Sequence, residues 1–306
     1  MEIGLLFPGQ GSQFQGMGKG FYTNFSLIKE LFEEASDAIK VDFKKLMFTE
    51  NEDLHRTSYT QPAILLFSYG VYRILQQELG IEWKYGIGHS LGEFTALTGG
   101  GGLDLADGIQ LVHRRGELME ESFKSQPGSM MVVLGLSDSQ VEEICAEAQK
   151  KGLKIYPANY NSSGQVVVAG YRKDLLESES RFKRAGAKRV MVLKMSVASH
   201  CPLLQPAVEP LRQLVEKYLK PEFKPVISNV TAKAYSTKRE GIELLPVQLI
   251  KPVKYRESVQ KVASQVELFI ELGGKVLTGL NRRITKVPTI PILEPTDLKK
   301  VAERIK

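Results

Sequence analysis

Short apolar runs alternate with longer segments of helical period along most of the chain. "IGLLF" (3–7) has no polar position and stops at the breaker pair Pro8-Gly9, so it reads as a strand covered on both faces. Helical spacing follows from about 25 to 39 and again through "QPAILLFSYGVYRILQQEL". There Pro62 is expected near the helix start, where its missing N–H costs nothing. "YGIG" supplies a second short strand. "EFTALT" and "DLADGIQLVHRRGELMEES" then read as helices parted by the glycines at 99–102. Strand and helix in alternation predict a parallel α/β sheet.

From about residue 126 the pattern changes. "MMVVLG" reads as a strand, "DSQVEEICAEAQKK" as a helix, and "LKIYPANYN" with "QVVVAGY" as a hairpin. "RKDLLESESRFKRAG" reads as a helix and "KRVMVLK" as a strand. That β-α-β-β-α-β order is the ferredoxin-like unit. It predicts a small subdomain over 126–195 inserted into a discontinuous large domain, 1–125 with 196–306. The α/β pattern resumes with the helix "LLQPAVEPLRQLVEKYL", in which Pro210 predicts a kink or a later start. The strand "PVISNV", the helix "YRESVQKVASQ", the strand "VELFIELG", a helix from about 275, the strand "TIPIL" and a polar terminal helix complete the chain.

At 306 residues, 42% hydrophobic and 25% charged, the chain can bury a large core, which excludes disordered and collagen-like classes. The two cysteines, Cys145 and Cys201, form no C-x-x-C pair, so neither a disulfide framework nor a zinc cluster is expected. The start lacks a basic leader, and no apolar run reaches the ~20 residues of a membrane helix; a cytoplasmic protein is the expectation. The charge of +6 concentrates in "RFKRAGAKR". Such a run reads as a solvated face or as a landing surface for an acidic partner. Nucleic acid is not expected, because no aromatic residues interleave with it.

Chemistry enters at "GHSLG". Gly88-His89-Ser90-Leu91-Gly92 matches G-x-S-x-G between a strand and a helix, the setting of a nucleophile elbow. A serine needs a base, and four histidines compete for the role. His89 adjoins the serine and points elsewhere, His55 lies in a charged loop, and His113 lies on a packed helix. His200, in "SVASHCPLL", falls on a loop after a strand and late in the chain, and is the best candidate. Cys201 is a rival nucleophile too close to His200 to pair with it. No acid completes a triad, since Asp174 opens a small-subdomain helix; a backbone carbonyl can orient the imidazole instead. "FPGQGSQFQGMGKG" fits neither the dinucleotide nor the P-loop spacing. Its turn at Gln10 can offer a backbone N–H that, with that of Leu91, makes an oxyanion hole. In "HRRGELMEE", Arg114 and Arg115 are surface residues or, if one enters the acyl pocket, a selector of carboxylated acyl groups. A serine hydrolase and a non-catalytic acyl-binding module remain open on these residues.

"FPGQGSQ", "TQPA", "GHSLGE", Arg115 before Gly116, "NYNSSGQVVVAG", "SHCPL", "PVISNV", "QLIKPVKY" and "GKVLTGLNRRI" follow one another along nearly the whole chain. In that order they resemble the malonyl-CoA:acyl-carrier-protein transacylases of bacterial fatty acid synthesis. The resemblance implies an α/β-hydrolase-like parallel-sheet core with an inserted ferredoxin-like subdomain. It implies Ser90 as the acylated nucleophile, His200 as base and acid, Arg115 as the clamp on the malonyl carboxylate, and backbone amides of Gln10 and Leu91 on the oxyanion. It gives the main-chain carbonyl of Gln248 the orienting of His200, and sets Asn159 and Asn161 near the pocket mouth. Leu91 after the serine is similar to malonyl-selective members. No metal or redox cofactor is implied. The partners are a coenzyme A thioester and acyl carrier protein, and a monomer is expected.

Overall fold

The computed structural model describes residues 1–305. Ten strands form two sheets. They are β1 (Ile3–Phe7), β2 (Tyr85–Gly88), β3 (Gly128–Leu134), β4 (Ile155–Ser162), β5 (Gln165–Tyr171), β6 (Arg189–Val192), β7 (Glu222–Ile227), β8 (Ala234–Thr237), β9 (Leu268–Leu272) and β10 (Thr289–Ile292). The larger sheet runs β10-β9-β1-β2-β7-β8. All its pairings are parallel except that of β7 with the edge strand β8. Its middle strands β1 and β9 are buried at every position, which explains why they carry no alternation. Helices cover both faces, giving an α/β-hydrolase-like core.

The smaller sheet, ordered β4-β5-β3-β6, is antiparallel throughout. The helices Asp138–Lys150 and Arg172–Arg184 bury Val141, Cys145, Leu175 and Phe182 against it in a core of its own. Counted within the unit the strand order is 2-3-1-4, that of a ferredoxin-like fold. Edge strand β4 also touches the larger part. Tyr160 N–H donates to the carbonyl of Val253 (2.9 Å), Val253 N–H donates to that of Ala158 (2.8 Å), and Arg256 pairs with Asp138 at 2.5 Å.

Three expectations need correction. The helix expected to begin near Pro62 begins at Thr57, so the proline lies inside it. The Ser58 carbonyl that Pro62 cannot serve accepts instead from the ring Nδ1–H of His113, at 2.8 Å. The helix Gln205–Tyr218 starts before Pro210 and runs through it; a second proline, Pro206, sits in its first turn, where no N–H is needed. Strand β8 and the helix Lys238–Val247 fall where no element was predicted. "AYST" is too short to read as a strand, and Pro246 obscures the helix. Its start was legible: Thr237 and Glu240 form a reciprocal capping box, the T-x-x-E signature.

Candidate active site

Strand β2 delivers the chain into a turn at Ser90, from which the helix Leu91–Gly99 departs. Ser90 adopts φ 55°, ψ −110°, a conformation that costs a non-glycine residue energy unless its surroundings enforce it. The surroundings do so. A Cβ at Gly88 would strike the backbone of Gly92 and Glu93, and one at Gly92 would strike the carbonyl of Phe7. Asn229, just past β7, ties both sides of the turn: its Oδ1 accepts from Ser90 N–H (2.7 Å) and its Nδ2 donates to the Gly88 carbonyl (2.7 Å).

His200 meets this serine from a loop 110 residues away in the chain. Its Nδ1 lies 2.7 Å from the Gln248 main-chain carbonyl, which can only accept, so the ring proton sits on Nδ1. Nε2 is then free to accept from the Ser90 hydroxyl, at 2.7 Å. Burial, with the Arg115 charge second, lowers the imidazole from its usual 6.5 to about 3, so it is neutral at neutral pH and its Nε2 lone pair is unprotonated. Like Ser90, His200 holds a positive φ, 61°.

Of the two adjacent arginines, Arg114 pairs on the helix surface with Glu117 and Glu121, whereas Arg115 is 1% exposed. Arg115 Nη1 donates to Gln61 Oε1 (2.7 Å), and Nη2 donates to Gln248 Oε1 (3.0 Å) and more weakly to Ser90 Oγ (3.4 Å). The guanidinium also lies over the Phe94 ring, 5.3 Å from its centroid. Burial brings its pKa down to about 10, which leaves it cationic.

These groups open into a cleft of about 480 Å³ between the two sheets, lined by Gln10, Ser90, Leu91, Arg115, Asn159, Asn161 and His200 among others. Among the described residues, no protein acceptor takes the backbone N–H of Gln10 or of Leu91. Leu91 is the first residue of its helix, where an N–H has no intrahelical partner. Asn161 Oδ1 accepts from His89 Nε2 at 2.8 Å, linking the small sheet to the elbow, and Asn159 bridges to Val253. His55 is exposed at the end of a short 3-10 turn, between Asp53 and Arg56, and lines the cleft. Asp174 is remote from this chemistry, accepting from Lys154 N–H. Cys201 is buried, which pushes its thiol up to about 12. No group of three His, Cys, Asp or Glu side chains among the described residues is placed to hold a metal ion.

Gln61, Glu93, Asn229 and the side chain of Gln248 had no role in the reading of the sequence. Each is polar and at most 1% exposed. All four lie inside quoted motifs, "TQPA", "GHSLGE", "PVISNV" and "QLIKPVKY", where a polar residue among apolar neighbours was the available signal.

The acyl transferase domain family matches residues 5–275. The malonyl CoA-acyl carrier protein transacylase of Escherichia coli K12 is 38% identical over 99% of both chains, and that of Bacillus subtilis 168 is 36% identical over 100% of this chain and 98% of its own. The crystal structure of malonyl-CoA:acyl carrier protein transacylase from Helicobacter pylori superimposes with a TM-score of 0.96 at 45% identity, covering 100% and 98% of the two chains. A malonyl-transacylase in complex with its type II PKS acyl-carrier protein gives 0.95 at 35% identity, covering 99% and 100%. A strained serine on an elbow, a neutral histidine and a buried arginine, carried by a chain that aligns with these relatives end to end, make this protein a member of the malonyl-CoA:acyl-carrier-protein transacylase family.

Proposed function

We propose that this chain transfers a malonyl group from malonyl-CoA to the phosphopantetheine thiol of acyl carrier protein, through a malonyl ester on Ser90. Ser90 Oγ attacks the thioester carbonyl while His200 Nε2 takes its proton. The backbone N–H groups of Gln10 and Leu91 hold the oxyanion, and collapse expels the coenzyme A thiolate, which recovers the proton from His200. The carrier thiol then enters, His200 deprotonates it, and its attack on the ester returns Ser90 to its hydroxyl form. The kinetics are therefore ping-pong. The carbonyl of Gln248 fixes the ring of His200 throughout. No metal or redox cofactor takes part in these steps.

The observation that carries the reading is Arg115: a buried cation beside the nucleophile, bonded only to neutral acceptors. A malonyl carboxylate lies two carbons from the reacting carbonyl, a reach that suits a guanidinium next to Ser90 Oγ. Asn159 and Asn161 border the entrance from the small subdomain, which we assign to 126–195, against a large domain of 1–125 and the chain from 196 onward. The carrier protein, acidic in this reading, approaches the basic stretch 181–189, which runs through β6 to Lys194 at the lip of the cleft. The protein acts as a cytoplasmic monomer; no helix among the described residues is long and apolar enough to cross a membrane.

The test is incubation with malonyl-CoA and holo carrier protein. Malonyl-carrier product is expected; free malonate with no carrier product would favour a serine hydrolase instead.

A further inference from the structure

Arg115 poses an electrostatic problem. Its acceptors, Gln61 Oε1, Gln248 Oε1 and Ser90 Oγ, are neutral, and a buried cation that loses its hydration needs a counter-charge. A carboxylate in direct contact would supply one. It would also occupy the fork by which a guanidinium grips a carboxylate through two parallel hydrogen bonds.

The anion acting on Arg115 stands one residue further back. Glu93, 1% exposed, lies behind Gln248, whose amide spans the gap: Oε1 accepts from Arg115 Nη2, and Nε2 donates to Glu93 Oε2 at 2.7 Å. The amide dipole thus points its oxygen at the cation and its N–H at the anion. Asn229 N–H also donates to Glu93 Oε2 (3.0 Å), and the Tyr235 hydroxyl donates to Oε1 (2.9 Å). Burial raises the pKa of Glu93, while these three donors and the Arg115 charge pull it the other way and favour the ionised carboxylate, which only accepts. Meanwhile the three contacts of Arg115 engage at most three of its five N–H bonds. The Nε–H has no partner among the described residues.

We propose that Glu93 is a positioning residue for acyl selectivity: a counter-charge held one amide away from Arg115, so that the guanidinium is compensated in the interior yet keeps N–H donors for the carboxylate of the acyl group. This rests on the acyl-transfer reading above. It also separates two tasks of Gln248, whose side chain bridges the charges while its main-chain carbonyl orients His200. A role confined to holding the fold would alter all acyl groups alike. A counter-charge to the clamp alters the carboxylated ones.

The experiment measures kcat and KM for malonyl-CoA and acetyl-CoA, with holo carrier protein, in the wild type, Glu93→Gln, Gln248→Leu and the double variant; Arg115→Ala gives the ratio with the clamp removed. In Glu93→Gln the malonyl-to-acetyl ratio of kcat/KM is expected to fall about tenfold, chiefly through the malonyl KM. The double variant is expected to lose no more than the worse single one, because both act through one bridge. An unchanged ratio, equal losses for both acyl groups, or additive losses would overturn the proposal. Should Glu93→Gln not fold, Gln248→Leu decides alone: a fall in the ratio supports the bridge and an unchanged ratio overturns it. A wild type that transfers no malonyl group sinks the functional reading itself, before any variant is compared.

Discussion

His200 owes its chemistry to where it is buried. An imidazole held near 3 by burial and by Arg115 stays neutral well below the range in which an ordinary histidine takes up a proton. Acylation by malonyl-CoA is therefore expected to stay nearly constant in kcat/KM from about pH 7.5 down to about pH 5. An acid limb with a midpoint near 6.5 would contradict this. The same shift has a sign for stability. Its folded value lies below the unfolded one, so the unfolded chain binds the extra proton, and the contribution of this residue erodes as pH falls through 6.5 toward 3. At this scale the sequence was informative about single reactive groups; the Gln248 carbonyl that holds His200 was reached only through the family resemblance, and the side-chain partners were not reached at all. Ser90 and His200 stood out because their chemistry is rare in such settings. The bonds that tie Asn229 to Ser90 and to Glu93 cross more than 130 residues of chain, and no local pattern encodes such a pairing.

The elbow is an element held by contact between backbones. The helix Leu91–Gly99 approaches β1 so closely that a methyl group at Gly92 meets the Phe7 carbonyl, which is fixed by its strand and cannot move aside. Gly92→Ala is expected to lower stability by about 3 kcal/mol and to slow acylation with it. Chemical denaturation checks the first, and a variant as stable as the wild type would mean the close approach is not needed. The strands of the parallel sheet were legible because burial on both faces leaves unbroken apolar runs. The region 234–247 was not, since an edge strand of four residues buries only one of them, Tyr235. Proline misled in the helix Thr57–Leu79 because a free carbonyl inside a helix is tolerable once another donor is found, as His113 supplies for Ser58.

Over the whole molecule, the candidate site lies in a cleft that both parts of the fold line. The smaller sheet brings Asn159, Asn161 and Lys194 to a site whose reactive groups all lie on the larger part. Its β-α-β-β-α-β order was readable along the chain; its seat on the larger part, through Val253 and the Arg256–Asp138 pair, was not. The exposed basic residues of its outer edge lead toward the cleft. Reversing two of them, Lys188→Glu with Arg189→Glu, is expected to raise the KM for carrier protein about fivefold and to flatten its salt dependence, while acylation by malonyl-CoA is unchanged. Equal carrier-protein affinity at all salt concentrations would remove this surface from the account.

One hydroxyl, that of Ser90, is expected to accept and then surrender a carboxylated acyl group, and intact-mass measurement after adding malonyl-CoA, without carrier protein, is the sharpest check. The wild type is expected to gain one malonyl group, Ser90→Ala none, and the adduct is expected to disappear when holo carrier protein is added. A wild type that gains no mass, or a Ser90→Ala variant that still does, would contradict this.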